Sequence, residues 1–299
     1  MANTLVRNKA KINWGLVILL LAPATILFTL FVVIPVFQAA FFSLYKWNGL
    51  GPLKDFRGLK NFVILLQDEI FLRSLWHNVI IVVVSLAVEI PLALGLALIV
   101  CRTDFKLAVF FRTFFFLPFV LSEIITGILW QFIYHPQYGL VRTLYHIFAP
   151  QAQAPVLLGN PNSVLWAIMV VLIWKFFGFH MTILIAGLQD IPDEPQEAAR
   201  IDGARSSQVF RYIILPLLKP TFMISVFFSV VGSFQVFDVV WAMGKGDPVN
   251  AAETMVTYLY KFGFQRFSIG YGSSVAVTIF VICLIFSIFY KRNLVRNER

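Results

Sequence analysis

Apolar residues along this 299-residue chain run in long blocks separated by short polar segments, with no strand-like alternation. A helix needs about 20 mostly apolar residues to cross the hydrocarbon core of a bilayer. Six blocks reach that length: Leu16 to Tyr45, Val79 to Cys101, Ala108 to Tyr134, Val164 to Leu188, Thr221 to Met243 and Gly272 to Tyr290. The missing period of two argues against an outer-membrane barrel. The pattern therefore predicts an all-α, polytopic membrane protein of six transmembrane helices, with residues 1–299 forming a single transmembrane domain. The first block is too long for the apolar core of a cleaved leader, and no Ala-x-Ala site follows it, so it reads as a retained span.

Composition narrows the choice of class. Hydrophobic residues make up 59% of the chain and charged residues 13%. That charged share is about half of what a soluble domain carries. An ordinary cytosolic enzyme, a disordered chain and a collagen-like fibre are all excluded. Cys101 and Cys283 sit inside apolar blocks and read as small buried hydrophobes, not as a disulfide or a metal framework.

The net charge of +9 would suggest nucleic acid in a soluble protein. Here the basic residues flank the blocks, so they set topology and meet anionic lipid headgroups, and no nucleic-acid partner is expected. With the amino terminus inside, the inner segments carry 14 basic residues: Arg7, Lys9, Lys11, Arg102, Lys106, Arg112, Arg200, Arg205, Arg211, Lys219, Lys291, Arg292, Arg296 and Arg299. The outer segments carry nine, Lys46, Lys54, Arg57, Lys60, Arg73, Arg142, Lys245, Lys261 and Arg266, spread over longer loops. Both termini are expected to be cytoplasmic.

Nothing in the chain looks like a reaction centre. There is no Gly-x-x-x-x-Gly-Lys-Ser/Thr loop to cradle phosphate, no His-Glu-x-x-His and no Gly-x-Ser-x-Gly. His77, His135, His146 and His180 do not cluster as ligands. The chain reads as no enzyme, without catalytic residues or metal ligands, and any energy must come from a partner.

One segment, Gly187 to Pro216, is polar enough for water yet patterned as helix. Asp193 as N-cap with Gln196 three residues on predicts a capping box, with Pro195 in the first turn. Glu197 to Ile201 then forms a short helix ended by Gly203. Ser206 or Ser207 caps a second helix running to Leu215, and Pro216 and Pro220 mark the turn into the fifth span. The thin flank of Ala198 and Ala199 lets another protein approach. On chemistry alone this is either a helical surface loop or a docking element.

Ionisable residues inside a bilayer are costly and should face the bundle interior or a wet cavity. Four qualify: Glu89 beside Pro91, Glu123 above Pro118, Lys175 and Asp238, with His180 near Lys175. Each carboxylate is either a cavity wall or a structural pair to a neighbouring helix. Lys175 lies among Trp174, Phe176, Phe177 and Phe179. That suits a sugar, whose ring has apolar faces and a polar rim. It equally suits core packing with the lysine bonded to Glu89 or Glu123. Ser233, Gln235 and Asp238 interrupt the fifth block, and Ser233 and Asp238, five apart, do not share a narrow helix face. The candidate substrate path is Glu89, Glu123, Lys175, Phe179, His180, Ser233, Gln235 and Asp238.

Glu197-Ala198-Ala199, then Gly203, then Ile213-x-Leu215-Pro216 resemble the EAA loop of the membrane subunits of binding-protein-dependent ABC importers. Trp47-Asn48-Gly49, Phe111-Arg112-Thr113 with Phe116-Leu117-Pro118, and Gly127 to Trp130 with Tyr138-Gly139 are similar to the maltose-type, carbohydrate-uptake class 1 permeases. So are Trp174-Lys175 with Gly178, Ala186 to Gln189, and Phe237-Asp238 with Glu253. More narrowly, the chain resembles the first of the two permeases in such systems. Gly246-Asp247-Pro248 departs from the family's usual Gly-Gly-Pro.

The resemblance implies a type I ABC importer permease fold with a cytoplasmic coupling loop at 189–216. In that loop Glu197, Ala198, Ala199, Asp202 and Gly203 would dock into a groove on an ATP-binding subunit. It also implies a second homologous permease, two ATP-binding subunits holding the ATP and Mg, and an extracytoplasmic sugar-binding protein. This chain would hold no cofactor of its own. A sugar or oligosaccharide would move inward by alternating access across a bacterial or archaeal cytoplasmic membrane, with substrate contacts partly in spans four and five. The rival readings are a proton-coupled secondary transporter using Glu89 or Glu123, an ABC permease for glycerol phosphate or polyamine, and a sensing protein that moves no solute.

Overall fold

The computed structural model describes residues 14–101, 105–151 and 154–296. Arg7, Lys9, Lys11, Arg102 and Arg299, used above for orientation, lie outside the described residues. The long helices are α1 (Val17–Phe42), α3 (Glu69–Cys101), α7 (Val164–Gln189), α9 (Ser206–Gln235) and α12 (Ile269–Arg296). Shorter ones are α2 (Lys60–Gln67), α4 (Phe105–Val120), α5 (Glu123–Ile133), α6 (Leu140–Phe148), α8 (Glu194–Ile201), α10 (Asp238–Gly244) and α11 (Met255–Tyr258). Five of these helices are long and apolar enough to cross a membrane, and α4 with α5 makes a sixth crossing if counted as one. Among the described residues, extended pairing is limited to the single bridge between Tyr45 and Phe56.

Three boundaries differ from the sequence reading. The second crossing starts ten residues early, at Glu69, because Asp68 caps it by accepting hydrogen bonds from the Ile70 and Phe71 N–H groups at 2.8 and 3.0 Å. The third is not straight: α4 and α5 meet at 96° across Leu121 and Ser122. The fifth ends at Gln235, not Met243, and the chain turns at Val236 and Phe237 into α10. An apolar run is blind to such breaks, since hydrophobicity reports depth in the bilayer and not backbone path.

Pro216 and Pro220 do not mark a turn either, for α9 runs continuously from Ser206. The reason recurs along the chain. A proline inside a helix cannot donate to the carbonyl four residues back, and its ring collides with that carbonyl. Ahead of Pro35, Pro91 and Pro216 the helix widens into a π-turn: Thr29–Val33, Ser85–Glu89 and Phe210–Ile214. The residue just before each proline then bonds five back, Ile34 to Thr29, Ile90 to Ser85 and Leu215 to Phe210. One extra residue in the turn accommodates the missing donor. Pro23, Pro118 and Pro220 sit inside α-helix without this device.

Among the described residues, packing is organised in three apolar clusters. Toward the α7–α9 connection, Ala93, Ala97 and Val100 of α3 meet Met181, Leu184 and Ile185 of α7 and Val209, Ile214 and Leu218 of α9. At the opposite end Val164 to Leu172 pack with Ile81, Tyr134, Val239, Val240 and Met243. A third cluster joins Leu65 and Phe71 to Met255, Tyr258, Val275 and Ile279. Gly178 lets α4 cross α7, since a side chain there would overlap the Phe115 carbonyl. The described side chains of α1 stay largely uncovered; Leu19, Phe31 and Phe37 are each about 70% exposed. Cys283 is half-buried, and Cys101, expected to be buried, is exposed because it ends α3.

Candidate functional site

Two sites emerge, an exposed elbow and a cavity, and the helices flanking the elbow also wall the cavity. The elbow is α8, Asp202, Gly203 and the start of α9. Helix α8 runs Glu194–Ile201 with Pro195 in its first turn. The expected capping box does not form: the Asp193 backbone is already helical and its side chain makes no cap bond. Gln196 instead donates to the Pro192 carbonyl at 3.4 Å. Gly203 takes φ +83°, the left-handed conformation that ends a helix, and the Ala204 N–H bonds the Ala199 carbonyl. The next helix is capped not by a serine but at Arg205, whose N–H donates to Gln208 Oε1 at 2.7 Å. Glu197, Ala198, Asp202 and Gly203 are exposed, Ala199 is half-buried, and Ile201 is 86% exposed. Ala199 and Ala204 pack on the cluster shared by α3, α7 and α9, so a push on the elbow reaches all three helices.

The cavity lies deeper between these helices, with a volume of about 300 Å³. Glu89, Glu123, Phe179, His180, Ser233, Gln235 and Asp238 all line it, together with Phe119, Phe176 and Phe228. The two breaks bring them together. The bend after Val120 turns Phe119 and Glu123 inward, and the break after Gln235 returns Asp238 to the cavity that Ser233 faces. Phe179 stacks on Phe119 at 4.7 Å and meets Phe228 edge-on at 5.9 Å, giving an aromatic wall beside polar groups.

Glu89 anchors a polar belt between the apolar clusters. Ser85 donates to one of its oxygens, and His180 Nε2 lies 3.1 Å from the other, an ion-pair distance off the line of a hydrogen bond. His180 Nδ1 pairs with Ser225 Oγ at 2.7 Å, and Ser229 donates to Ser85 at 2.9 Å. Glu89 and His180 are 4% and 3% exposed. The belt thus ties α3, α7 and α9 together.

Lys175 is placed differently from the other candidates. It does not line the cavity. Its ammonium donates to the Leu121 carbonyl at 2.6 Å, and to those of Pro118 and Phe119 at 3.4 Å. It also lies 5.5 Å from the Phe176 ring centre. No hydrogen bond joins it to Glu89 or Glu123, although it attracts Glu123 electrostatically. The carbonyls at the end of a helix carry partial negative charge, and a cation satisfies them. Lys175 therefore holds the broken end of α4.

A folded loop closes the end of the bundle opposite the elbow. Lys261 bonds Glu253 at 2.7 Å, Asp247 at 3.3 Å and Asn250 at 3.4 Å. The Glu253 carbonyl meets His77, and Asn78 bridges the Ser233 carbonyl and the Met255 N–H. Burial holds the Glu253 carboxyl above the usual carboxylate range, while the bond from Lys261 pulls it back. Lys261→Met removes that pull and leaves Glu253 buried without its cation. It should cost about 2–3 kcal/mol at pH 8. The deficit should shrink as pH falls through the raised value, because a neutral carboxyl no longer needs the lysine. Thermal unfolding of both proteins at pH 8 and pH 5 checks this; an equal gap at both values refutes it.

The sequence reading missed Ser85, Ser225 and Ser229, though a signal was present. Ser225, Ser229 and Ser233 recur every four residues, one stripe of a helix, and Ser85 precedes Glu89 by four. Phe119 and Phe228 carried no such signal among 32 phenylalanines.

Residues 89–296 match the family of binding-protein-dependent transport system inner membrane components. The probable ABC transporter permease protein YurN of Bacillus subtilis (strain 168) is 36% identical over 271 residues, 90% of this chain and 92% of the relative. The probable starch degradation products transport system permease protein AmyD of Thermoanaerobacterium thermosulfurigenes is 31% identical over 270 residues, 90% of each chain. In structure, a chain of a bacterial ABC transporter that imports the acidic polysaccharide alginate superposes with a TM-score of 0.84 over 96% of both chains, at 23% identity.

Proposed function

This chain belongs to the family of binding-protein-dependent transport system inner membrane components, and on that premise we propose that it is the permease subunit of an ABC importer for a sugar or oligosaccharide. It is no enzyme. It works with a second permease, two ATP-binding subunits that hold ATP and Mg, and a soluble binding protein that delivers cargo. It sits in a bacterial or archaeal cytoplasmic membrane with both termini and the 189–216 loop on the cytoplasmic side. The elbow is the port for the ATPase: Glu197, Ala198, Ala199, Asp202 and Gly203 meet its groove, and exposed Ile201 adds apolar contact.

One observation carries this reading: α7 and α9 leave the two sides of the elbow and wall the cavity with Phe176, Phe179, His180, Phe228 and Ser233. A rigid link of that kind converts movement at the ATPase into opening of one cavity face or the other. A near-complete switch between two states needs about 5.5 kcal/mol of bias, which must pass through the elbow without being lost in bending. Aromatic faces beside carboxylates, serines and an amide suit a sugar ring. Glu89, already engaged with Ser85 and His180, is a poor free proton carrier, which weighs against proton coupling.

The test is Gly203→Val. A branched residue at φ +83° is strained whatever the space around it, and here the space is open. Sugar uptake should fall at least tenfold while membrane levels hold, and Gly203→Asn, which tolerates this conformation, should keep most of it. ATP depletion should stop wild-type uptake. Normal uptake by Gly203→Val, or uptake stopped by a protonophore but indifferent to ATP, would overturn the reading.

A further inference from the structure

The cavity is one-sided in charge. Among the described residues three carboxylates line it, those of Glu89, Glu123 and Asp238, and no lysine or arginine does. Glu89 faces His180 at 3.1 Å. Among the described residues Glu123 and Asp238 have no hydrogen-bond or ion-pair partner at such a distance; Lys175 attracts Glu123 electrostatically, and the two carboxylates repel each other. Lys175 is 2% exposed and spends its ammonium on backbone carbonyls, so it draws on Glu123 without being open to cargo.

The backbone adds to the bias. Broken helices in transporters often turn a positive N-terminal end toward an anionic cargo group. Here the breaks leave two helix starts at the cavity, and each first residue is itself a carboxylate, Glu123 in α5 and Asp238 in α10. The positive ends are already answered from within the chain. A phosphate, sulfonate or uronate entering this space would find two like charges and, among the described residues, no lysine or arginine in the wall.

We propose that the cavity takes sugars without an anionic group, neutral ones or those bearing a protonated amine, and rejects acidic sugars by the charges of Glu123 and Asp238. The claim depends on the importer reading only for the cavity being the path of the cargo; the charge itself is measured without transport.

Gly232 lines the cavity and has no atom within 4 Å of an added Cβ, so Gly232→Cys places a thiol there without a clash. In the assembled transporter in membrane vesicles, with Cys101→Ser and Cys283→Ser, that thiol is labelled by two methanethiosulfonates of similar size, trimethylammonium-ethyl and sulfonatoethyl. Each rate is divided by the rate on a free thiol in solution. The cationic reagent should react at least tenfold faster, and the ratio should shrink with added salt. Adding Glu123→Gln and Asp238→Asn should lower it at least fivefold, each single change giving part of that. At equal concentration a glucosamine disaccharide should slow labelling by a neutral maleimide more than digalacturonate does. A ratio at or below one, a ratio indifferent to salt, or stronger protection by digalacturonate overturns the proposal. Failure of the importer reading would show instead in the Gly203 and ATP experiments, with the labelling ratio intact.

Discussion

Glu89→Leu should unfold more readily than any other single change in the bundle, by about 3–5 kcal/mol, the usual cost of removing one partner from a buried pair. The loss is not the worth of one contact. The carboxylate receives Ser85 and faces His180, and those two in turn bond Ser229 and Ser225. Leucine fills much of the volume but leaves a buried histidine and serine from two helices facing an apolar side chain, each short of a partner it had in the belt. Glu89→Gln keeps the shape and an acceptor for Ser85, and should recover more than half of the loss. Glu89→Leu combined with His180→Leu should cost less than the sum of the two, since the second change removes a group the first had stranded. Thermal unfolding in detergent reads wild type, the three single variants and the double variant. Wild-type stability in Glu89→Leu, or strict additivity in the double variant, would show that the belt does not hold the three helices together.

Lys175→Met should be nearly as severe, about 3 kcal/mol or more, by a different route. Three backbone carbonyls converge on the ammonium at the point where the third crossing bends by 96°. Methionine matches the length of the stem and offers no donor. The free carbonyls would then favour continuing α4 straight toward α5, to recover intrahelical bonds. Straightening would carry Phe119 and Glu123 out of the cavity wall, so uptake should fall about a hundredfold, well beyond the drop in membrane level. Lys175→Arg restores a cation with several donors and should retain much of both properties. Uptake that tracks protein level in Lys175→Met would mean that the bend stands without its cation.

The division between what could be read and what could not is physical. The spans were legible as apolar blocks, because a span must be apolar: each of the six blocks overlaps a long apolar helix, the third as the bent pair α4 and α5. The elbow was legible as well, since Gly203 and Pro195 act on their own backbone through local sterics. Caps were not. Asp193 has the right chemistry and spacing, but its backbone stays helical, and the cap bond needs an extended one. Seven of the eight proposed path residues line one cavity, and six of them, all but Phe179, are charged or polar groups that a span must turn inward. Lys175 obeys the same rule but turns inward to the main chain, and nothing in a sequence distinguishes a carbonyl from a carboxylate as its destination. The breaks at Leu121 and Val236 were hidden for a related reason. They are stabilised by partners distant in the chain, Lys175 for one and, for the other, Thr254, whose hydroxyl bonds the Val236 carbonyl at 2.9 Å.

The widened turns ahead of Pro35, Pro91 and Pro216 put α1, α3 and α9 each out of phase with itself. An inserted residue shifts the azimuth of everything beyond it by about 100° relative to an unbroken α-helix. The stretch before the joint and the stretch after it can each roll to suit separate neighbours, as two keys cut on one shaft. In α3 the leading stretch, with Phe71, Ser74, Asn78 and Ile81, fits one set of partners, while the trailing stretch, with Ala93 and Ala97, fits another. Shortening such a turn by one residue would therefore re-index half a span wholesale, without substituting any side chain that remains.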